Sequence, residues 1–296
     1  MDIFLQAFIS GVSQGCVYAL IALGYSVIYR TLKMGHFAQG DFYMAGVFVG
    51  LSLSQQFNMP VILVFAGSAV TVSLLMLVLE RFAYRPLYSS GPGVSLIMST
   101  LGVQFVLQEI VKLIWGAEIK RFPPLFRNRI FSLSLPGIRL TLSMQNLMVL
   151  CISVGLMLAL LFFMTRTKTG LAMSAVSMNR KAARLMGVRV NTVITATYVI
   201  AAALAAVAGV LMGPQYSARY GMGSVMGNKA MIAAIMGGFG NMPGAVVGGM
   251  ILGLVETMGA LYISSAYKDV FAFVILIIIL FSKPEGLFGR AAVTKV

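Results

Sequence analysis

MQNLMVLCISVGLMLALLFFM, residues 144–164, holds no charged side chain and no proline. At about 1.5 Å rise per residue, a helix of this length crosses a hydrocarbon layer of roughly 30 Å. TVITATYVIAAALAAVAGVLMG, residues 192–213, repeats the pattern. Of the 296 residues, 59% are hydrophobic and 10% charged, with mean hydropathy +0.93. A soluble domain carries roughly 25% charged residues. The chain therefore reads as all-α: a polytopic integral membrane helical bundle of about eight or nine spans, one transmembrane domain over residues 1–296. Spans are expected near 5–29, 40–57, 60–79, 94–115, 144–164, 192–213, 227–238, 243–263 and 268–282. Breaker signals separate them, among them Asn58-Met59-Pro60, Pro123-Pro124 and Asn241-Met242-Pro243.

The 22 Lys+Arg against 8 Asp+Glu give a net charge of +14. In a membrane chain this reflects basic loops that set orientation, and it gives no support to nucleic-acid binding. The loop over about 165–191 carries Arg166, Lys168, Arg180, Lys181, Arg184 and Arg189 and no acidic residue, so it is expected on the cytoplasmic side. Counting back puts the N-terminus outside and Arg30, Lys33, Arg81 and Arg85 inside; counting forward puts Lys283, Arg290 and Lys295 inside. The 116–143 loop disagrees, with Lys120, Arg121, Arg127, Arg129 and Arg139 against Glu118. Either the count is off by one there or something acidic docks on it. Cys16 and Cys151 lie in apolar runs without metal-ligand spacing, so no disulfide framework or metal site is expected. MDIFLQAFISGV lacks the basic start and cleavage site of a signal peptide and is expected to begin the first span.

Within the basic loop, NRKAARLMGVRV (179–190) alternates small, apolar and basic residues and ends a short amphipathic helix at Gly187. Such a helix either lies on anionic membrane lipid or docks a cytoplasmic partner, and sequence physics leaves both open.

Several segments together resemble a known family: GVSQGCVYALIALGYSVIY (11–29), HFAQGDFYMAG (36–46), ERFAYRPL (80–87), LMGV (185–188), AAVAGVL (205–211), GGFGNMPGAVVGGMILGLVE (237–256) and YKDVFAF (267–273). The chain resembles the H-type permease subunit of bacterial branched-chain amino acid ABC importers. The resemblance implies an ABC importer permease fold in the bacterial inner membrane. The implied partners are a second, M-type permease, two cytoplasmic ATPase subunits and a periplasmic or extracellular solute-binding protein. No GxxxxGK[ST] phosphate loop occurs, so the chain is expected to be no enzyme and to hold no cofactor, with ATP and Mg bound by partner subunits. By the same resemblance NRKAARLMGV is the coupling helix, with Asn179, Arg180, Ala183, Arg184, Leu185 and Gly187 facing the ATPase. Met178 and Asn179 stand where such permeases usually have an acidic residue, which implies either an ATPase groove with compensating acidic residues or weaker polar locking.

A charge at the centre of a spanning helix costs roughly 2.5–3.5 kcal/mol. Asp41, Glu109, Lys229 and Glu256 should therefore face the bundle interior, a path or a partner, with Lys112 beside Glu109 as a local counter-ion. Two glycine-bearing segments, 35–50 and 220–240, precede short apolar helices in the two halves, a pattern that marks transport paths. The path candidates are His36, Gln39, Asp41, Asn228, Lys229 and Glu256. His36 has no second ligand nearby, and Asp41 is expected to cap the next helix. By the resemblance, relatives carry Asn, His and Glu where His36, Gln39 and Asp41 stand, which implies hydrogen bonding rather than proton chemistry. Gly244, Gly248, Gly249 and Gly253 are expected to let helix backbones approach closely. The reading is a permease subunit for branched-chain amino acids. The alternatives are an ABC permease for urea, amides or another small polar solute, or a self-sufficient secondary carrier or channel. HExxH and a second histidine are missing, which disfavours a membrane-embedded enzyme.

Overall fold

The computed structural model describes residues 2–90, 94–126, 130–135 and 138–289. Among the described residues eleven α-helices run in the order α1 Asp2–Leu32, α2 Gln39–Gln55, α3 Val61–Leu79, α4 Val94–Trp115, α5 Met144–Arg166, α6 Lys168–Met178, α7 Arg180–Leu185, α8 Val190–Tyr216, α9 Met222–Gly237, α10 Met242–Tyr262 and α11 Lys268–Ser282. α3 continues without a break into a π turn, Glu80–Tyr84, and a 3-10 turn, Arg85–Ser90.

Each of the nine predicted apolar stretches is a helix, but their number as spans needs revision. Among the described residues, seven helices are long and apolar enough to cross a membrane. α2 and α9, with 17 and 16 residues, are shorter. Both are buried along most of their length, so their apolar character faces protein rather than lipid. The all-α class holds for the bundle. The described residues add one antiparallel hairpin, β1 Ile130–Leu135 with β2 Ile138–Ser143, paired from Ile130↔Ser143 to Leu135↔Ile138. Its sequence signal is the alternation in IFSLSL and IRLTLS. Arg127 and Arg129, on which the acidic-partner expectation rests, lie outside the described residues, as do Arg290 and Lys295.

α1 and α8 form the centre. In each, 67% of the most apolar window is buried, against 6% for α11 at the rim. Lipid tails are as apolar as leucine, so close backbone approach does the work that the hydrophobic effect does in water. α10 shows this on two faces: Gly244 and Gly248 lie against Gly237 and Ala233 of α9, while Gly249 and Gly253 lie against Ala19 and Gly15 of α1. A side chain at any of the four would meet backbone. Polar stitches add direction, as where Trp115 Nε1 donates to Ser52 Oγ at 2.8 Å, tying α4 to α2.

Candidate functional site

α2 does not start at the end of α1. The chain passes through residues 33–38, and α2 begins at Gln39, beside Gly24 in the interior of α1. Gln39 Nε2 donates to the Ala201 carbonyl of α8 at 2.8 Å, fixing this inner start. The residue before α2, Ala38, offers no side-chain cap. Asp41 is therefore not the cap expected from sequence. It sits in the first turn, where the helix dipole favours a negative charge.

The N-terminal ends of α2 and α9 meet. A Cβ on Gly40 would lie 2.6 Å from Gly227 Cα and would overlap the Gly223 carbonyl. This contact brings together the two segments that the sequence paired. Beside it, Gln108 Nε2 of α4 donates to Asp41 Oδ1 at 2.9 Å and to Ser224 Oγ of α9 at 2.7 Å, and Gln104 Nε2 donates to Ser224 Oγ at 2.9 Å. Asp41 is fully buried, and its Oδ2 has no hydrogen-bond partner among the described residues. Gln104, Gln108 and Ser224 are half-buried, and Asn228 is exposed.

His36 belongs elsewhere. Its buried ring is enclosed by Phe42, Tyr84 and Tyr198 at centroid distances of 5.9, 5.3 and 5.2 Å. Neither ring nitrogen has a partner among the described residues, so a charged imidazole would stand there unpaired. The site suits a neutral ring. His36→Asn is expected to keep uptake within about twofold and to leave its pH profile unchanged, because only packing is lost; a shifted pH profile would assign the ring a proton-linked role.

Lys229 and Glu256 form a third cluster. Lys229 Nζ pairs with Glu256 Oε1 and with Asp269 Oδ1 of α11, the latter at 2.7 Å. Tyr18 Oη donates to Glu256 Oε2 at 2.6 Å, and Lys268 Nζ lies 3.4 Å from Glu256 Oε1. Two cations and two carboxylates thus tie α9, α10 and α11 together, and the Tyr18 hydroxyl joins α1 to them. Glu109 is exposed and bridges to Lys112 at 3.3 Å, one turn along α4.

At the end where α1 stops, α6 and α7 form a small helical elbow. Asn179 caps α7, its Oδ1 accepting from the backbone amides of Lys181 and Ala182 at 3.0 Å each. Gly187, at φ +83°, closes the helix, with its amide on Arg184 O and that of Val188 on Ala183 O. Ala183 is buried, whereas Met178, Leu185 and Met186 project beside Lys181 and Arg184. Arg180 departs from its expected outward role: its Nη2 donates to the carbonyls of Thr31 and Leu32, each at 3.2 Å, which end α1.

Residues 7–280 match the family model described as branched-chain amino acid transport system / permease component. The chain belongs to this family. It is 36% identical over 302 residues to the high-affinity branched-chain amino acid transport system permease protein LivH of Escherichia coli (strain K12), covering 99% of this chain and 98% of that one. It is likewise 36% identical over 304 residues to BraD of Pseudomonas aeruginosa, with 99% and 98% covered. In fold, the permease resembles a chain of PsaBC from Streptococcus pneumoniae, solved in complex with Fab, at TM-score 0.51 and 12% identity over 96% of this chain and 94% of that one.

In the permease, the six path candidates divide. Asp41 joins a hydrogen-bonded group, Gln39 anchors α2, His36 lies in an aromatic cage, Lys229 and Glu256 pair with each other, and Asn228 faces outward. Sequence reasoning missed Gln104, Gln108, Ser224, Tyr18, Lys268 and Asp269. A usable signal was present on α4, where Gln104, Gln108 and Lys112 recur every fourth residue and so share one helix face.

Proposed function

We propose that this chain is the H-type permease subunit of a binding-protein-dependent ABC importer in a bacterial inner membrane, moving branched-chain amino acids by ATP-driven alternating access. It is no enzyme itself. A solute-binding protein delivers cargo, a second M-type permease completes the path, and two cytoplasmic ATPase subunits carry ATP and Mg. The family match supports transport. The observation that carries the assignment of a path is the polar face of Gln104, Gln108, Ser224 and Asn228 on helices that also turn large apolar side chains outward, such as Phe105 and Val106. Polar groups turned out of a membrane bundle face water or a partner, not lipid. The path then runs between this face and the companion permease, brushing the cargo rather than gripping it.

Copurification tests the assembly: the tagged chain should retain the companion permease and both ATPases in detergent, and recovery of the chain alone from cells making all four would reject it. Thiol labelling tests the path. With Cys151→Ser and Cys16→Ala as background, Ser224→Cys and Asn228→Cys should react with water-soluble thiol reagents in a manner that depends on ATP. Inertness of both, with and without ATP, would remove the path from this face.

The elbow supports the coupling role. Exposed Leu185 and Met186 suit an apolar groove floor, and Arg184 suits an acidic rim on the ATPase. Like charges set face to face cost several kcal/mol, so Arg184→Glu should lower uptake by about tenfold or more while the protein still inserts. Normal uptake in that variant would contradict the docking surface.

A further inference from the structure

Gln104 and Gln108 sit one turn apart on α4, and both turn their amide nitrogens inward. The orientation has a physical cause. Asp41 Oδ1 accepts, so the Gln108 amide points its NH2 at it at 2.9 Å, and the second hydrogen goes to Ser224 at 2.7 Å. Ser224 Oγ accepts from Gln104 as well. Both hydrogens of the Gln108 amide and one of the Gln104 amide are committed, and neither amide oxygen of these half-buried side chains receives a hydrogen bond among the described residues. Asp41 adds a second observation, a fully buried carboxylate with Oδ2 unpartnered and no cation paired to it among the described residues.

We propose that the Gln104 and Gln108 carbonyls, oriented by Asp41 and Ser224, form a hydrogen-bonding station for the ammonium end of an amino acid in transit. The inference rests on the path assigned above. Two acceptor oxygens attract a primary ammonium, which carries three donors and no acceptor. They repel a carboxylate, so cargo passes with its ammonium end toward α4. The station is shallow, as a path needs, because it offers acceptors without a full counter-charge at the surface. Asp41 touches no cargo; it is a positioning residue that acts through Gln108.

The test is uptake of radiolabelled leucine by the full complex in proteoliposomes, with binding protein and ATP, normalised to assembled complex. Gln104 is the safer site to vary, since among the described residues its side chain bonds only to Ser224. Gln104→Glu keeps an acceptor and should retain uptake within about threefold, whereas Gln104→Lys places a like charge against the ammonium and should lower it by tenfold or more. A general packing defect would treat the two alike. At the positioning residue, Asp41→Asn frees Gln108 to reverse its amide and should lower uptake by about tenfold, with Asp41→Glu restoring part of it. Equal uptake in the Glu and Lys variants, or normal uptake in Asp41→Asn, would overturn the station. If the unaltered complex took up no leucine while still hydrolysing ATP, the cargo assignment would fail instead, and the station with it.

Discussion

Lys229→Met is expected to destabilise the permease by about 3 kcal/mol or more, at the lower end of the range for breaking a buried ion pair. Glu256 is fully buried and Lys229 nearly so, and removal of the ammonium leaves the carboxylate with Tyr18 and a more distant Lys268 at 3.4 Å. Lys268 softens the loss without cancelling it. Asp269 adds little, because its side chain is 68% exposed and water replaces its partner. The second variant decides the cause. Lys229→Met with Glu256→Gln removes the orphaned charge and should recover at least half of the loss, a non-additivity that a double-mutant cycle reads directly. Denaturant unfolding of purified protein in mixed micelles measures it. Additive losses in the double variant would show that Lys229 acts through packing and not through Glu256.

Gly40→Val should have the larger effect: little or no folded protein recovered from the membrane. The obstacle at Gly40 is the backbone of Gly223 and Gly227, which no rotamer change can move aside. Overpacking a core costs about 1–3 kcal/mol when side chains give way, and more where backbone must shift. The ends of α2 and α9 would part, and Asp41 with Gln108 and Ser224 would separate with them. Gly155→Val is the control, since nothing lies within 4 Å of a Cβ there. Monodisperse recovery after detergent extraction compares the two. Equal yields would mean that the α2–α9 contact is not needed for the fold.

The helical class was legible because hydropathy reports which residues avoid water. It does not report whether the apolar neighbour is lipid or protein, and for that reason α2 and α9 read as spans although they lie mostly inside. The hairpin went unread within a loop judged by its charge, although IFSLSL and IRLTLS alternate. At the site, isolated charges drew attention by their cost in the membrane, and Asp41, Lys229 and Glu256 all proved to be partnered within the bundle. What no sequence pattern reveals is the pairing itself: Lys229 meets Glu256 across 27 residues and Gln108 meets Asp41 across 67. Gln104 and Gln108 were overlooked because a neutral amide in an apolar run carries little penalty. Arg180 was read with its basic neighbours as outward, whereas the free carbonyls at the end of α1 draw it inward.

The central claim is that this chain is one half of an ATP-driven path for branched-chain amino acids. Leucine uptake into proteoliposomes containing this chain, the companion permease and both ATPases tests it most directly. Uptake should require ATP and the binding protein and should stop with vanadate. Uptake by this chain alone, persisting without ATP and in the presence of vanadate, would contradict the account and identify a self-sufficient carrier.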